Sequence, residues 1–282
     1  MTPLDAVREV ARELDAAGVP SPRVDAEHLV AHALGLSRSA LYAAETPLAG
    51  PARTELAALV RRRAAREPLA YVLGEWGFRR LTLRVDQRAL VPRPETEVVV
   101  ERCLALLADL AEPRVLEIGV GSGAIALALV DEHPGVRMVA VDSSEGALAL
   151  ARVNIEQAGA EDRVELLRGE LLAGREGPFD LVVSNPPYVL PEEVDVLQPE
   201  VRLYEPREAL VGVGVGEEIA RRAHDVLAPG GWVVLESADG RTEALAATLR
   251  RLGYAHVSIT ADLAGRPRVV EGRRAPHYNR LP

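Results

Sequence analysis

One stretch of the chain decides the fold: Val115-Leu-Glu-Ile-Gly-Val-Gly-Ser-Gly-Ala124. It begins as a short apolar strand pattern, and an apolar helical pattern runs on from Gly123 to His133. The alternating glycines between the two elements allow a tight turn that comes close to a ligand. The N-terminus of the helix then favours an anionic group. This strand–turn–helix unit predicts an α/β fold with a nucleotide-type ligand at the turn.

The same order of strand and helix repeats from Arg114 almost to the end of the chain. The predicted strands are Val115–Ile118, Arg137–Val141, Val164–Leu167, Asp180–Ser184, Gly231–Glu236 and His256–Thr260. The predicted helices are Gly123–His133, Glu145–Ala158, Glu217–Leu227 and Arg241–Leu252. Apolar strands that alternate with helices form a parallel sheet covered on both faces, so the predicted fold class is α/β. Ligands of such sheets bind at the carboxyl ends of the strands.

Asp142 ends the second predicted strand, 23 residues after Gly119. A carboxylate at this position can accept hydrogen bonds from both hydroxyls of a ribose. Gly119, Gly121 and Ala124 also satisfy the G-x-G-x-x-G/A pattern of NAD-binding proteins, so the loop alone leaves NAD and S-adenosylmethionine open. Three alternate glycines preceded by Glu117 favour S-adenosylmethionine.

A second motif, Asn185-Pro-Pro-Tyr188, follows directly on the apolar run from Phe179 to Ser184. We call residues 185–188 the cup. Each proline fixes its φ near about −65° and has no N–H, so the backbone offers carbonyl acceptors rather than donors. The Asn185 side chain adds one acceptor and an NH2 donor, and Tyr188 adds a flat ring. The cup suits a planar group that carries an NH2. Nicotinamide chemistry would leave it without a purpose, which favours S-adenosylmethionine over NAD.

The first part of the chain has a different pattern. The sequence pattern of residues 1–75 predicts helices, because apolar residues recur at helical spacing over Pro3–Ala17 and Asp25–Leu34. Residues 76–93 alternate short β-like runs with arginines and predict a β-hairpin linker. We therefore expect a helical domain, this hairpin and an α/β domain over residues 94–282.

Composition excludes several kinds of site. All 33 basic residues are arginine, which removes Schiff-base lysines and the lysine of a phosphate-binding P-loop. Cys103 is the single cysteine, so disulfides within the chain and cysteine zinc clusters are excluded, and we expect no metal. No apolar run reaches the roughly 18 residues of a membrane span, and the first ten residues lack a signal pattern. We expect a soluble, cytoplasmic protein without a membrane partner.

The charge is negative but uneven. A net charge of −9 argues against a general nucleic-acid binder. Between Arg61 and Arg93, however, nine arginines stand against three acidic residues, a local balance of +6. This stretch is either a solvated helix face with scattered loop charges or a docking surface for an acidic protein or RNA-bearing partner. The sequence leaves both interpretations open.

The order of the glycine loop, Asp142 and the cup resembles that of S-adenosylmethionine-dependent methyltransferases acting on planar nitrogen, including adenine-N6 DNA methyltransferases. Further segments resemble the release factor glutamine methyltransferase family: Pro68-Leu-Ala-Tyr-Val-Leu-Gly74, Leu90-Val-Pro-Arg-Pro-Glu-Thr-Glu97, Glu205-Pro-Arg-Glu-Ala-Leu210 and Asp262-Leu-Ala-Gly-Arg-Pro-Arg268. The resemblance covers nearly the whole chain. It implies a seven-stranded Rossmann-like class I methyltransferase sheet. The last strands would form an antiparallel hairpin, at about Val257–Ile259 and Val269–Glu271.

This family methylates the side-chain amide nitrogen (N5) of the glutamine in the Gly-Gly-Gln loop of class I peptide chain release factors. The resemblance implies that the helical domain helps to hold the release factor, and that S-adenosylhomocysteine is the by-product. The cofactor-binding residues it implies are Glu117, Gly119, Val120, Gly121, Ser122, Gly123, Asp142, Glu170 and Asn185. Glu170 stands where an aspartate is frequent in the family. The expected target-binding residues are Asn185, Pro186, Pro187 and Tyr188 of the cup, together with Arg93 and Glu95. Arg93 and Glu95 lie in the stiff segment before a predicted helix, where they line the active-site entrance, hold the two domains together or only pack against neighbours.

An amide nitrogen is a poor nucleophile, so we expect placement rather than deprotonation to supply the rate. The expected catalytic residues are Asn185, Pro186 and Tyr188. The Asn185 oxygen and the Pro186 carbonyl accept the two amide protons, while Tyr188 packs on the amide face. Two other targets stay open, a glutamine of a large-subunit ribosomal protein and an adenine of a nucleic acid. The net charge of −9 and the lack of a further target-reading domain argue against the second.

Overall fold

The computed structural model describes the following residues: 1–45, 47–172, 174 and 176–275. The last seven residues of the predicted 94–282 domain therefore lie outside the described part. The chain divides into two compact units. The helical unit comprises Met1–Glu75 and, from much later in the sequence, Leu197–Tyr204. The sheet unit comprises Trp76–Val196 and the chain from Glu205 onward.

The secondary structure alternates as the sequence predicted after residue 113. The strands are β1 Glu75–Phe78, β2 Leu81–Arg84, β3 Arg114–Ile118, β4 Arg137–Asp142, β5 Val164–Arg168, β6 Phe179–Ser184, β7 Leu227–Glu236, β8 Tyr254–Ala261 and β9 Pro267–Arg274. The helices are α1 Pro3–Ala16, α2 Pro22–Ala33, α3 Arg38–Leu41, α4 Gly50–Ala64, α5 Leu69–Leu73, α6 Pro94–Leu107, α7 Ala124–Glu132, α8 Glu145–Ala158, α9 Pro199–Tyr204, α10 Arg207–Leu210, α11 Val215–Val226 and α12 Thr242–Arg251. A 3-10 helix covers Pro191–Val196.

The helical unit is held by apolar faces that pack into one core, which includes Leu14, Leu29 and Val60. Its first two helices follow the predicted spans closely, although α2 begins earlier, at Pro22. Proline at the start of a helix costs little, because its missing N–H has no partner within the helix there. Within the part of the chain that is described, no helix combines the length and apolar character that a membrane crossing requires.

Residues 197–204 are fastened into the helical unit by charge. Glu200 accepts hydrogen bonds from Arg63 at 2.9 Å and from Arg66 at 2.7 Å. Arg63 also donates to Asp25 at 2.7 Å. Arg63, Asp25 and Glu200 are all buried. Removing one member of a buried ion pair leaves an uncompensated charge, so this cluster fixes the segment firmly.

The sheet unit contains a seven-stranded sheet with the order β5-β4-β3-β6-β7-β9-β8. Neighbours from β5 to β7 run parallel, and β9 runs antiparallel to β7 and β8. This topology confirms the predicted seven-stranded sheet with an antiparallel final hairpin, although β8 and β9 are longer than expected. Leu116, Val182 and Val233 on its central strands have no exposed surface, as in a sheet covered on both faces.

The strand order reverses between β3 and β6. From β3 the chain builds β4 and β5 on one side, and it then returns to build β6 and β7 on the other. The carboxyl ends of β3 and β6 lie side by side, since Ile118 pairs with Ser184. The Ser184 hydroxyl also donates to the Ile118 carbonyl oxygen at 2.7 Å. Ligands of open α/β sheets bind at such reversal points, and the glycine loop and the cup both begin here.

Most arginines of the basic stretch are used within the fold. Seven of the nine form ion pairs: Arg62 with Glu67, Arg63 with Asp25 and Glu200, Arg66 with Glu200, Arg79 with Glu132, Arg80 with Asp131, Arg88 with Asp86 and Arg93 with Glu205. Acidic residues far away in the sequence therefore offset the local balance of +6. The charge count of this stretch gives no support to a docking surface.

Candidate active site

The glycine loop after β3 is shaped by its backbone. The N–H groups of Gly119 and Val120 both donate to the Val141 carbonyl oxygen, at 2.8 and 3.1 Å. Gly119 has a φ of +78° and Gly123 a φ of +86°, a left-handed conformation that favours glycine. A Cβ on Gly123 would lie 3.7 Å from the Ala151 Cα atom, so α7 and α8 approach closely here. The loop is tight, and the backbone that a ligand can reach is that of Gly119 and Gly121, because Val120, Ser122 and Gly123 are buried.

Asp142 braces the loop from the end of β4. One carboxylate oxygen accepts the Gly121 N–H at 3.0 Å, and the other accepts the Ser144 N–H at 2.9 Å. Each carboxylate oxygen can accept more than one hydrogen bond. Asp142 can therefore hold the loop and still accept hydrogen bonds from a ligand hydroxyl, and ribose binding by Asp142 remains a prediction.

Glu117 has a buried carboxyl oxygen without a hydrogen-bond partner among the described residues. The unpaired oxygen is Oε2, and the side chain is buried on β3. Burial raises the pKa of Glu117 well above its ordinary value, and the nearby charge of Asp142 raises it further. A buried acceptor left unpaired costs about 1–3 kcal/mol. A cationic or N–H group of a ligand would remove that cost.

Asn154 is a buried residue that sequence reasoning missed. Its Nδ2 donates to the carbonyl oxygens of Ser122, at 2.8 Å, and Arg84, at 3.0 Å. Its Oδ1 accepts the Arg84 N–H at 2.7 Å. One side chain thus joins α8, the glycine loop and β2. The signal was a polar residue within the apolar stripe of α8, between Ala151 and Ile155.

The cup adjoins the glycine loop, because a Cβ on Gly119 would lie 4.0 Å from the Asn185 carbonyl oxygen. Asn185 Nδ2 donates to Thr96 Oγ1 at 3.1 Å. The Thr96 hydroxyl in turn donates to Glu236 Oε2 at 2.7 Å. No described residue donates a hydrogen bond to Asn185 Oδ1. The NH2 group is therefore engaged inside the protein, and the oxygen is left as the acceptor of the cup.

Tyr188 closes the other end of the cup. Its hydroxyl donates to Glu236 Oε1 at 3.2 Å, and its carbonyl oxygen accepts a hydrogen bond from Arg241. Burial raises the pKa of Tyr188 well above its ordinary value, and the charge of Glu236 adds to the effect. The phenol is therefore neutral at physiological pH and is not a base.

A cavity of about 200 Å³ borders the cup. Its walls include Pro186, Pro187, Tyr188, Gly212, Gly214, Gly216, Glu236 and Arg241. The segment that contains Gly212, Gly214 and Gly216 packs directly on the cup. A Cβ on Gly212 would lie only 2.6 Å from the Pro187 carbonyl oxygen. A β-bridge between Val189 and Val211 also brings this segment back to the cup. The chain after the cup therefore returns to line this cavity.

Three other predicted site residues lie outside this cluster of contacts. Arg93 forms an ion pair with the buried carboxylate of Glu205. Glu95 accepts a hydrogen bond from Arg266 at 3.0 Å. Glu170 is exposed, just beyond β5. Target binding by Arg93 and Glu95, and adenosine binding by Glu170, remain predictions.

Known proteins share both parts of this chain. The PrmC N-terminal domain family matches residues 5–74, and the methyltransferase small domain family matches residues 98–201. The release factor glutamine methyltransferase of Deinococcus radiodurans is 42% identical over 278 residues, covering 96% of this chain and 98% of that protein. The protein of the same name from Geobacter sulfurreducens is 42% identical over 91% of each chain.

A solved methyltransferase from Pyrococcus furiosus supports the fold. It covers 68% of this chain and 88% of its own, with a TM-score of 0.50 and 21% sequence identity. Its identity is too low to indicate more than the fold. The matches to the curated relatives extend over almost the full length of both partners. The chain therefore belongs to the release factor glutamine methyltransferase family.

Proposed function

We propose that the chain transfers a methyl group from S-adenosylmethionine to N5 of the glutamine in the Gly-Gly-Gln motif of class I peptide chain release factors. The observation that carries the proposal is the cup. Thr96 holds the Asn185 NH2 group, and the Asn185 oxygen is left as an acceptor beside the glycine loop. A primary amide has two N–H donors, which match this oxygen and the carbonyl of Pro186. The family relatives support the choice of a release factor glutamine.

We assign cofactor binding to Glu117, Asp142 and the backbone of residues 119–123. When bound, S-adenosylmethionine supplies an electrophilic methyl group on a sulfonium. These groups fit S-adenosylmethionine, because the Asp142 carboxylate can accept hydrogen bonds from ribose hydroxyls and the unpaired Glu117 oxygen suits an ammonium group. The left-handed glycines allow the backbone to approach a ligand closely.

The residues of the cup act by placement. The Asn185 oxygen and the Pro186 carbonyl accept the two amide protons and aim the nitrogen. They also stabilise the positive charge that develops on the nitrogen as the new bond forms. Orientation of this kind contributes up to about 7–11 kcal/mol relative to free encounter. Tyr188 stays neutral because burial raises its pKa, so it is not the base. In the proposed mechanism the proton lost after transfer passes to solvent.

We assign release-factor binding to the helical domain over residues 1–75, with residues 76–93 as the hairpin and 94–282 as the catalytic domain, except that residues 197–204 belong to the helical unit. The match of residues 5–74 to the PrmC N-terminal domain supports this division. Because the proposed substrate is a translation factor, we also propose a cytoplasmic location. With a net charge of −9, we expect no specific nucleic-acid partner.

Mass spectrometry of the substrate tests the proposal. Purified class I release factor, large-subunit ribosomal proteins and DNA are each incubated with enzyme and S-adenosylmethionine. We expect one added methyl group, on the glutamine of the Gly-Gly-Gln motif alone. Asn185→Ala should abolish this product, and calorimetry with S-adenosylmethionine measures whether Asn185 also contributes to cofactor binding. A methyl group on another residue, or only on ribosomal protein or DNA, would contradict the proposal.

A further inference from the structure

We infer that Glu236 is a positioning residue that sets, through Thr96, which way the Asn185 amide faces. This rests on the proposed function, since it concerns the same cup. Neither residue belongs to the cup itself: Thr96 lies in the first turn of α6, and Glu236 is the last residue of β7. Both are buried, Thr96 with 5% and Glu236 with 1% of its surface exposed. Their hydrogen bonds are therefore sheltered from competition with water.

The carboxylate fixes the direction of the whole chain of hydrogen bonds. Burial raises the pKa of Glu236 above its ordinary value, while the hydrogen bond from Thr96 and the charge of Arg268 favour the ionised form. An ionised carboxylate can only accept, so the Thr96 hydroxyl gives its single proton to Glu236 Oε2 at 2.7 Å. Thr96 Oγ1 is then left as an acceptor toward Asn185. Of the two ends of the Asn185 amide, only the NH2 can donate to it, at 3.1 Å. The carbonyl oxygen must therefore lie on the other side of the amide, where the cup needs an acceptor.

The same carboxylate holds the far end of the cup. Its second oxygen accepts the Tyr188 hydroxyl at 3.2 Å. Asn185 and Tyr188 are separated only by two prolines, whose fixed φ angles make the connection stiff. One buried group thus orients both ends of a rigid loop.

Replacing the carboxylate by an amide would remove the constraint on the direction of the chain, because a glutamine can present either its oxygen or its NH2 to Thr96. The NH2 of a glutamine at position 236 can donate to Thr96 Oγ1, and the Thr96 hydroxyl can then donate to the Asn185 carbonyl oxygen. Asn185 would turn its own NH2 toward the substrate NH2, placing donor against donor. Glu236→Gln keeps the shape of the side chain, so we expect its effect on turnover to exceed its effect on stability.

Kinetics of release factor methylation test the chain of hydrogen bonds from Glu236 through Thr96 to Asn185, which we call the relay. We expect Glu236→Gln to lower kcat about 100-fold and Thr96→Val about 10-fold, with the Kd for S-adenosylmethionine within about twofold of wild type. Thr96→Ser keeps the hydroxyl and should stay within about threefold of the wild-type kcat. The double variant should lose less than the product of the two single effects, because both act through one relay.

Glu271→Gln is the matched control. Glu271 is also a buried glutamate of the sheet, but it binds Arg102 and Ser258 rather than the cup. Its replacement should leave kcat unchanged even if thermal stability falls. Circular dichroism identifies a variant that does not fold, and the remaining relay variant then carries the test.

A readout without substrate separates this inference from the proposed function. In ¹⁵N-labelled enzyme, the Asn185 side-chain NH2, assigned by its absence in Asn185→Ala, should exchange slowly with solvent. Exchange should accelerate in Thr96→Val and remain slow in Thr96→Ser. If wild type methylates no release factor but this pattern holds, the proposed function fails and the positioning stands. If wild type is active and Thr96→Val keeps both wild-type kcat and slow exchange, the positioning role is refuted.

Discussion

Asn154 Nδ2 donates to the carbonyl oxygen of Ser122 at 2.8 Å, which ties helix α8 to the glycine loop. The same side chain also bonds the N–H and the carbonyl oxygen of Arg84. The Asn154 side chain is 2% exposed, and these three hydrogen bonds use both of its N–H donors and its oxygen. The conformation of the cofactor loop thus depends on an asparagine outside the loop.

Asn154→Ala should therefore weaken binding of S-adenosylmethionine by about tenfold and lower the free energy of unfolding by about 2–3 kcal/mol. The loss arises because backbone groups of Ser122 and Arg84 are left buried without partners. Calorimetry measures the first effect and urea denaturation the second. Gln157→Ala, on the exposed face of the same helix, should change neither. Wild-type cofactor affinity in Asn154→Ala would show that the loop holds its own shape.

The sequence predicted what is encoded locally. Helix α8 has the predicted bounds, Glu145–Ala158, because its apolar spacing and its Ser144 cap are both local signals. The glycine loop and the cup are contiguous motifs that follow buried strands. Their adjacency is seen in the structure, and it agrees with the rule that ligands bind where the carboxyl ends of parallel strands meet.

The partners of these motifs could not be predicted in the same way. Thr96 and Glu236 come from α6 and β7, 140 residues apart, and no periodic pattern links them. The same holds for Glu200, which meets Arg63 across 137 residues. Such pairs are set by tertiary packing. Only Asn154 gave a local warning, as a polar residue in an apolar stripe.

Asp142→Asn tests the brace at the end of β4. Both carboxylate oxygens accept backbone N–H groups, from Gly121 and Ser144, and the amide replaces one acceptor by a donor. We expect S-adenosylmethionine to bind about 10- to 100-fold more weakly, as measured by calorimetry. Asp180→Asn is the control, because Asp180 accepts the Arg114 N–H at the opposite end of the sheet. Equal affinities of Asp142→Asn and wild type would remove Asp142 from the site.

Glu117 should couple cofactor binding to the release of a proton. Its pKa is raised well above the ordinary value, first by burial and then by the charge of Asp142, so the free enzyme keeps the proton up to that raised pKa. A bound cation favours the ionised form and lowers the pKa. Between the two pKa values, binding should release a proton, and affinity should rise with pH.

Calorimetry in buffers of different ionisation enthalpy measures this release directly. The observed heat of S-adenosylmethionine binding should depend on the buffer for wild type and for Glu271→Gln. It should not depend on the buffer for Glu117→Gln, which has no carboxyl proton to release. A buffer-independent heat in wild type would mean that Glu117 does not change its protonation on binding.

Glu27 should make the helical unit sensitive to acid. It accepts hydrogen bonds from Tyr42 at 2.5 Å, Arg38 at 2.7 Å and Arg23 at 3.2 Å. These partners, with Tyr42 the largest contributor, lower the pKa of Glu27 from 4.5 to about 2. A carboxyl whose pKa is lower in the folded than in the unfolded state stabilises the fold above the unfolded value. That stabilisation is lost as the pH falls from 4.5 to about 2.

Glu27→Gln should therefore lower the free energy of unfolding at neutral pH, and the difference from wild type should shrink as the pH falls toward the folded pKa of Glu27. Urea denaturation of both proteins across this range measures the difference. Glu9→Gln, an exposed glutamate on α1, is the control and should show little effect at any pH. A deficit of equal size at neutral and acid pH would mean that shape rather than charge explains the loss. Tyr42→Phe should reproduce part of the effect, because it removes the hydrogen bond that lowers the pKa of Glu27 most.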